Sequence, residues 1–392
     1  MVLFLHNRYR TTGGEERVVD ELLGLVREHL EEPVELLERD SARLGSARAA
    51  AGLLRGGLGP REVAKAVRLT RARVVHAHNL NPSFGWRALA AARAEGARVV
   101  LHLHQYRTVC ATGVCFTEGR ECTRCHGRNT LPGVIHNCRG SRAEALAYGA
   151  SLALWQRRLT EQADAVILPS LFARERLREL GAPLDWERVH VLPPPVETAS
   201  PGESFVSPGA ESPLDLQDLP VPGTYALVVS RLAPEKGVDV AIEACGIASV
   251  PLVVAGDGPQ SDALRVQQAK TQSGVRFVGR VDDAELERLR AGAALAIVPS
   301  RSAETFGMAA AEAMAAGVPV VASRVGALPE LVEERALVEP GDPEALGEAI
   351  GRLWGDAAAG QRGRVHVREL CAPEVVAAGL RDVYGIDLTG QA

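Results

Sequence analysis

The sequence lacks any apolar run long enough to cross a lipid bilayer, which argues against an integral membrane protein. Its first residues, MVLFLHNRYR, contain too short an apolar run for a signal peptide and fit a first β-strand better. The 392 residues are 46% hydrophobic and 24% charged, which is the composition of a soluble globular protein. We therefore expect a cytoplasmic protein with two domains, because a single ordinary core does not reach this size.

A dinucleotide-binding fingerprint is also missing. A Rossmann cofactor site needs G-x-G-x-x-G directly after a strand and at the start of a helix. The nearest segments, HNRYRTTGGEE and VAGDGPQSD, do not complete this pattern. Its absence counts against a nicotinamide-dependent oxidoreductase.

Lysine is scarce, with three residues against forty-one arginines, and the charge is unevenly distributed. Residues 1–195 contain 28 Lys and Arg against 21 Asp and Glu, whereas the remainder contains 16 against 28. Between positions 43 and 73 the only acid is Glu62, and the basic residues are Arg43, Arg48, Arg55, Arg61, Lys65, Arg68, Arg71 and Arg73. This segment is either a solvated basic helix or a surface for an anionic membrane or a phospholipid-linked acceptor. We expect no nucleic-acid partner.

Short apolar runs alternate with segments of helical period, which is the pattern of parallel α/β sheets. The segment VETASPGESFVSPGAESPLDLQDLPVPG is rich in Pro, Ser, Gly and acid and is typical of a linker. We predict two Rossmann-like, doubly wound domains that face each other across a cleft. They span residues 1–195 and 223–365, with a linker at 196–222 and a C-terminal helix within 366–392 that packs back toward the first domain. The predicted strands are Val2–His6, Val74–Asn79, Arg98–His104, Ala165–Ser170, Val189–Pro193, Tyr225–Arg231, Leu252–Gly256, Arg276–Val281, Leu295–Ser300 and Pro319–Arg324.

Polar residues follow two strands of the second half. The run LAIVPS leads into a loop with Glu304, and the helix that begins near Gly307 carries Glu312. Free amides at the start of such a helix suit an anion. The loop VVSRLAPEKGVD places Arg231 and Lys236 after another strand, where the two cations can neutralise a diphosphate without a metal ion. Strand ends of this kind bind ligands in doubly wound sheets.

Together these motifs resemble the retaining glycosyltransferases of family four, which have the two-domain GT-B fold. In the second half the resemblance rests on S-R-L-x-x-x-K-G, AGDGP, FVGRV, E-T-F-G with a second Glu eight positions on, and AAGVPVVAS. In the first half it rests on GGEERVV, RVVHAHN, VVLHLHQYR and DAVILPSLFARERL. It covers nearly the whole chain.

The resemblance assigns roles to these residues. It implies that Arg231 and Lys236 hold a nucleoside diphosphate and that Glu312 holds its ribose. It implies that Glu304, with the backbone of Phe306–Met308, holds the donor sugar and its phosphate.

Two positions of the first half belong to the same predicted site. Gly13 and Gly14 precede the first helix, where paired glycines permit a backbone approach to an anion. The resemblance places Gly14 beside the donor phosphates. It also implies that His104, at the end of VVLHLH, lines the donor-sugar and acceptor end of the site, whereas His102 fits a structural role better.

Five of the seven cysteines lie in CATGVCFTEGRECTRCHGRNTLPGVIHNC. Four of them, Cys110, Cys122, Cys125 and Cys138, can form a tetrahedral thiolate zinc site, which leaves Cys115 over. A subset of the resembled family has cysteines at these four places. Reduced thiols remain a second interpretation and a disulfide formed after oxidation a third, since a cytosolic compartment disfavours disulfides.

The resemblance implies a hexosyltransferase that moves a hexosyl group from a nucleoside diphosphate sugar to a hydroxyl of a glycan, a lipid-linked molecule or a small molecule. We expect retention by front-face attack, with no catalytic metal and with Glu304, His104, Lys236 and Arg231 at the reacting centre. One alternative is a GT-B sugar-nucleotide epimerase, which needs no acceptor. The other is a non-catalytic module for nucleotide-sugar binding or assembly.

Overall fold

A computed structural model describes residues 1–9, 14–197, 220–270 and 274–386. The chain divides into two compact units. One comprises Met1–Thr117, Cys122–Pro195 and Pro373–Ala392, and the other comprises Glu118–Glu121 and Val196–Ala372. Most of the predicted linker, residues 198–219, lies outside the described residues. Within the described ranges, no helix combines the length and hydropathy that a membrane crossing requires.

The first unit is built on a parallel sheet of six strands in the order β2-β1-β3-β4-β7-β8. Two-residue strands β5 (Phe116–Thr117) and β6 (Arg120–Glu121) lie in the chain between β4 and β7. The strands of the main sheet are β1 (Val2–Arg8), β2 (Val34–Asp40), β3 (Val74–Ala77), β4 (Arg98–His102), β7 (Ala165–Leu168) and β8 (Val189–Val191). The helices are α1 (Gly14–His29), α2 (Ser46–Arg55), α3 (Pro60–Thr70), α4 (Gly85–Ala94), α5 (Leu131–Ile135), α6 (Arg142–Glu161), α7 (Leu171–Glu179) and, from the end of the chain, α15 (Pro373–Tyr384).

The second unit is built on another parallel sheet of six strands, in the order β11-β10-β9-β12-β13-β14. Its strands are β9 (Ala226–Val229), β10 (Leu252–Ala255), β11 (Val275–Gly279), β12 (Leu295–Val298), β13 (Val320–Ser323) and β14 (Leu337–Val338). Its helices are α8 (Val238–Ala248), α9 (Ser261–Gln268), α10 (Asp283–Ala291), α11 (Met308–Ala315), α12 (Leu328–Leu331), α13 (Pro343–Leu353) and α14 (Ala357–Cys371).

The two predicted α/β sheets are confirmed, and each of the ten predicted strands overlaps an observed one. Central strands such as β3, β10 and β12 are buried along their whole length, so they appear in the sequence as continuous apolar runs. Strand β2 was not predicted. It is an edge strand of sequence VELLERD, whose charged and half-exposed residues hide the pattern of a strand.

The strand orders place the loops that can bind a ligand. All strands of the two six-stranded sheets run parallel, but the direction in which successive strands are added across the sheet reverses between β9 and β12 in the second sheet and between β1 and β3 in the first. A doubly wound sheet opens a crevice at the carboxyl ends of the strands on either side of such a reversal. The loops after β9 and β12 carry Lys236 and Glu304, so the strand order itself brings the predicted donor residues together.

The predicted C-terminal helix, within residues 366–392, overlaps the end of α14 and the whole of α15. Helix α15 packs on α1 and β4 of the first unit, and its buried Tyr384 hydroxyl lies 2.7 Å from Nδ1 of His76. Residues 387–392 lie outside the described ranges.

Candidate functional site

The centre of the candidate site in the second unit is an ion pair. Lys236 ends a 3-10 turn after β9, and its Nζ donates a hydrogen bond of 2.6 Å to Oε1 of Glu304 in the loop after β12. The hydroxyl of Ser300 donates to the same oxygen, also at 2.6 Å. The side chains of Lys236 and Glu304 are 28% and 17% exposed, so the pair is sheltered but reachable. The predicted phosphate cation and the predicted sugar-binding carboxylate are therefore direct partners.

The surroundings of Glu304 hold it in the ionised form. Burial alone would raise its pKa, but the charge of Lys236 and the hydrogen bonds from Lys236 and Ser300 outweigh that effect, and the pKa of Glu304 is lowered. An ionised carboxylate accepts hydrogen bonds and donates none. Glu304 can therefore bind the hydroxyl groups of a sugar.

Close backbone packing fixes the two loops. A Cβ added to Gly237 would lie 2.0 Å from the carbonyl oxygen of Pro299, and Gly237 has a φ of +65°. A Cβ added to Gly326 would lie 2.3 Å from the amide nitrogen and carbonyl oxygen of Glu304. The amide of Ala327 also donates to the carbonyl oxygen of Glu304 at 2.9 Å. No other residue fits at Gly237 or Gly326 without moving the site.

Arg231 lies in the same loop as Lys236 but is held differently. Its guanidinium pairs with the buried Glu235 and is 53% exposed. The carbonyl oxygen of Glu235 accepts hydrogen bonds from the amides of Arg301 and Ser302, at 2.8 and 3.2 Å. Arg231 is thus an accessible cation on a turn that is anchored to the loop of Glu304.

Helix α11 begins beside this cluster. Gly307 adopts a φ of +108°, and a Cβ there would lie 2.7 Å from Cδ2 of Leu328. Phe306 is buried in the core and fixes the entry of the chain into the helix. The first amides of a helix, here from Met308 onward, have no carbonyl partner within the helix and attract an anion. The predicted backbone contacts at Phe306, Gly307 and Met308 therefore lie at a suitable helix start.

Glu312, the predicted ribose contact, is paired with a buried arginine. It lies in the second turn of α11, and its Oε2 accepts a hydrogen bond from Nη2 of Arg290, which is at the end of α10. Both side chains are at most 10% exposed. Arg290 neutralises this carboxylate and orients it, and nothing in the sequence pattern indicated that partner.

The first unit contains a cavity of about 70 Å³ at the carboxyl ends of β3 and β4. Its lining includes His78, His102 and His104 and the aromatic side chains of Trp86 and Trp155. Gln105, Arg107 and Glu15 complete the polar part of its wall. Glu15 accepts hydrogen bonds from Tyr9 at 2.7 Å and from Gln105 at 3.1 Å, and burial raises its pKa. This cavity combines aromatic faces with hydrogen-bonding groups.

His104 lies within a row of histidines. Its Nε2 is 2.9 Å from Nδ1 of His78, and its ring stacks on His102 at 4.2 Å between centroids. Burial lowers the pKa of His104 to about 3, so its imidazole is neutral at physiological pH. It can therefore exchange hydrogen bonds with a ligand but supplies no positive charge.

Three of these histidines are close enough to hold a metal ion. The ligand atoms of His76, His78 and His102 lie within 4.8 Å of one another, and no other group of this kind is found among the described residues. However, Nε2 of His76 and Nδ1 of His102 are 3.2 Å apart and hydrogen-bond to each other, and all three side chains are buried. His76 and His102 thus use these two ring nitrogens for each other, whereas Nε2 of His78 and Nε2 of His102 are buried without a hydrogen-bond partner in the described part of the chain.

Comparison with known proteins decides the family. Residues 13–200 match the family described as Glycosyltransferase Family 4, and residues 223–356 match the family described as Glycosyl transferases group 1. The chain belongs to the family-four glycosyltransferases. The predicted recognition is confirmed.

Relatives of this glycosyltransferase match it in part. The D-inositol 3-phosphate glycosyltransferase of Acidothermus cellulolyticus is 37% identical over 202 residues, which are 46% of this chain and 43% of that protein. The alignment thus spans less than half of that relative. Among solved structures, HepE of Anabaena in complex with UDP and glucose is 21% identical with a TM-score of 0.63, over 98% of this chain and 99% of that one. Sucrose-phosphate synthase of Thermosynechococcus elongatus is 20% identical with a TM-score of 0.65, over 98% of both chains. These structures establish that the glycosyltransferase has the GT-B type of α/β domains.

Gly14 of the glycosyltransferase is the first residue of α1. An added Cβ would meet no atom within 4 Å, so the space in front of it is open and no packing in the described molecule requires glycine there. Residues 10–13, including Gly13, lie outside the described ranges.

The five loop cysteines of the glycosyltransferase line one cavity of about 20 Å³, together with His136. All five are free thiols, so the structure contains no disulfide among them. No three of their sulfur atoms lie within 4.8 Å of one another, the distance that the ligand atoms of His76, His78 and His102 satisfy. Zinc binding therefore requires the thiols to move closer together. Cys115 is buried, and its thiol hydrogen-bonds to Cys110, which with other hydrogen bonds holds the pKa of Cys110 well below its usual range. The donor set thus fits zinc in composition but is wider than a closed coordination shell.

Proposed function

We propose that this glycosyltransferase binds a nucleoside diphosphate sugar in its second unit and transfers the hexosyl group to an acceptor hydroxyl with retention of configuration. The observation that carries the proposal is the Lys236–Glu304 pair at the reversal of the second sheet, beside the start of α11. A diphosphate is the ligand that two cations and free helix amides favour, and a paired carboxylate beside it suits the hydroxyls of a sugar.

The chemical step depends on the departing diphosphate. Negative charge develops on the leaving oxygen, and Lys236, Arg231 and the amides at the start of α11 would stabilise it more in the transition state than in the ground state. Stabilisation of the leaving diphosphate by these groups would need no metal ion. Glu304 would orient the sugar, and neutral His104 would hydrogen-bond at the acceptor end. We infer front-face attack, assisted by the departing phosphate, as the route to retention.

The donor is tested by isothermal titration of the full chain with UDP, GDP and ADP and with their sugars. UDP has first place in this panel because the Anabaena neighbour was crystallised with it. We expect one nucleoside diphosphate to bind and its sugar to bind more tightly, since Glu304 adds contacts to the sugar. If none of the nucleotides binds, the proposed donor site is wrong.

Product analysis separates transfer from the alternatives. A transferase consumes the donor sugar in proportion to glycosylated acceptor and leaves the anomeric configuration unchanged. An epimerase would convert the donor with no acceptor present, and a binding module would leave it intact.

The excess of basic residues in the first half of the chain supports a proposal about where the enzyme is located. We propose a cytoplasmic protein that associates peripherally with an anionic membrane through the basic surface of α2 and α3. Between positions 43 and 73 that surface has eight basic residues against Glu62, and most of them are exposed. Vesicle binding that weakens as salt is raised would support this location, because salt screens such attraction.

We also propose a structural zinc ion in the cysteine cavity, held by Cys110, Cys122, Cys125 and Cys138. The support is that one small cavity collects these thiols, and thiolate sulfur is a preferred zinc ligand. Zinc would fix the loop and would take no part in the transfer. Metal analysis of protein purified without chelating resin tests it.

A further inference from the structure

A chain of hydrogen bonds joins the C-terminal helix to the cavity of the first unit. The hydroxyl of Tyr384, on α15, lies 2.7 Å from Nδ1 of His76, on β3. Nε2 of His76 lies 3.2 Å from Nδ1 of His102, on β4. His102 in turn lines the cavity. All three side chains are buried, so these contacts are shielded from solvent.

Each member of this chain of hydrogen bonds is uncharged at physiological pH. Burial raises the pKa of Tyr384 well above its usual value, so its phenol keeps the proton. Burial lowers the pKa of His76 to about 3 and the pKa of His102 well below its usual value. A neutral imidazole carries one N–H, so one ring nitrogen donates and the other accepts. The role of one nitrogen therefore determines the role of the other.

Tyr384 determines which nitrogen of His76 accepts. Among the described residues, Nδ1 of His76 is the only hydrogen-bond partner of the Tyr384 hydroxyl. If His76 carried its proton on Nδ1, the hydroxyl hydrogen of Tyr384 would be buried without an acceptor, which is costly. The hydroxyl therefore donates to Nδ1, and the proton of His76 lies on Nε2.

His76 determines in the same way which nitrogen of His102 accepts. Nε2 of His76 donates to Nδ1 of His102, and the two ring planes differ by only 6°, which suits a bond that lies in both planes. His102 must then carry its proton on Nε2. That nitrogen is buried and has no hydrogen-bond partner within the described ranges. A buried donor without an acceptor is rare in a folded protein and requires an explanation.

The cavity offers that explanation. Trp86 and Arg107 also line it, and Nε1 of Trp86 and Nε of Arg107 are buried donors without a partner among the described residues. Oε1 of Gln105, in the same lining, is a buried acceptor without one. Three donors and an acceptor around one cavity suit a ligand with several oxygen atoms, such as a sugar or another polyol.

We propose that Tyr384 is a positioning residue, which acts through His76 to keep a proton on Nε2 of His102 for a hydrogen bond to an oxygen of the acceptor molecule. This role rests on the proposed function, in which His104, the neighbour of His102 in this cavity, lies at the acceptor end. The oxygen that His102 binds is not the attacking one, because an N–H donor would withdraw electron density from a nucleophile. The chain of hydrogen bonds therefore favours acceptor binding, and His102 has more than the structural role that the sequence indicated.

Nuclear magnetic resonance tests the direction of the hydrogen bonds. Two-bond proton–nitrogen spectra of the full chain with isotope-labelled histidine show which ring nitrogen carries the proton, and His102→Gln identifies the signals of His102 among the ten histidines. We expect a proton on Nε2 of His102 in the wild type. In Tyr384→Phe we expect a mixture of both forms, since neither direction then satisfies Nδ1 of His76.

Tyr225→Phe is the matched control. Tyr225 is 3% exposed, as Tyr384 is, and its hydroxyl donates at 2.7 Å to the carbonyl oxygen of Leu289 in the second unit. Both variants lose one buried hydroxyl and should lose similar stability, but only Tyr384→Phe should change the protonation of His102. A purely structural role of Tyr384 would leave His102 unchanged in both variants.

Titration with small polyols tests the ligand. Glycerol, myo-inositol and methyl α-D-glucopyranoside are added to the wild type and to both variants. At least one of them should shift the Nε2 signal of His102. Its binding should be about 3- to 10-fold weaker in Tyr384→Phe than in the wild type or Tyr225→Phe, which is the loss expected for one neutral hydrogen bond.

Four results would overturn the proposal. They are a proton on Nδ1 of His102 in the wild type, an unchanged His102 in Tyr384→Phe, no shift with any polyol, and a metal ion bound by His76, His78 and His102 in the purified protein. Such an ion would occupy the ring nitrogens on which the hydrogen bonds depend. Nucleoside diphosphates are titrated into the same samples. If none of these nucleotides binds while His102 responds as expected, the donor site alone is refuted.

Discussion

Replacing Lys236 with Ala tests the central pair of the donor site. The change removes the ammonium that lies 2.6 Å from Glu304 and, on the proposed function, one of the cations that stabilise the leaving diphosphate. Loss of one such electrostatic donor costs about 2–4 kcal/mol in the transition state. That corresponds to a fall in kcat/KM of about 30- to 1000-fold. Lys270→Ala is the matched control, because it removes the same charge from an exposed position of the second unit.

Because Lys236 and Glu304 are in contact, the effects of Lys236→Ala and Glu304→Gln on kcat/KM should not be additive. In Lys236→Ala the buried Glu304 loses the cation that lowers its pKa, so part of the damage comes from the carboxylate left behind. The double variant Lys236→Ala/Glu304→Gln removes that carboxylate charge. The two single effects should therefore sum to more than the double effect by about 0.5–3 kcal/mol, as for groups in contact. Initial rates with saturating acceptor measure all four proteins, and near wild-type turnover in Lys236→Ala, or strict additivity, would refute the reasoning.

The same pair predicts a pH dependence of stability. The folded pKa of Glu304 lies below its unfolded value, so its ionised form favours the folded state at pH values above the unfolded pKa. That contribution is lost as pH falls through the folded pKa. In urea unfolding, the free energy of unfolding of the wild type should exceed that of Glu304→Gln at neutral pH, and this difference should shrink in the acidic window. A difference that is constant with pH would contradict the lowered pKa of Glu304.

Three further predictions concern the rest of the molecule. Glu312→Ala should weaken binding of the free nucleoside diphosphate, whereas Glu304→Ala should weaken binding of the sugar nucleotide more than binding of the free diphosphate. If calorimetry shows that both variants lose the same affinity for both ligands, this division of roles is wrong. Gly237→Ala should lower the free energy of unfolding by more than about 1 kcal/mol, because the new Cβ would lie 2.0 Å from the carbonyl oxygen of Pro299 at a positive φ. Cys122→Ser should abolish about one equivalent of bound zinc by metal analysis, and Cys115→Ser should keep it; a metal-free wild type would leave a cluster of reduced thiols.

The sequence predicted the buried strands and the loops that follow them, because these depend on local composition. Strands β9 and β12 appear as apolar runs because both of their faces are buried, and the loops that follow them contain Lys236 and Glu304. Once the strands are parallel and the order reverses between them, Lys236 and Glu304 must meet. Strand β2 was missed because an edge strand with one solvated face lacks the apolar run.

Contacts between distant helices could not be predicted in this way. Glu312 has a spacing to Glu304 that the sequence shows, but its partner Arg290 comes from α10, twenty-two positions earlier, where arginines are common on exposed helix faces. Arg290 is nevertheless buried and paired with Glu312, which its position in the sequence does not indicate. The same holds for Cys115, whose hydrogen bond to Cys110 depends on a loop conformation with a φ of +48° at Cys115. A ribose contact at Glu312 therefore depends on a buried carboxylate whose charge Arg290 compensates, so Arg290→Leu should weaken nucleotide binding by removing that compensation.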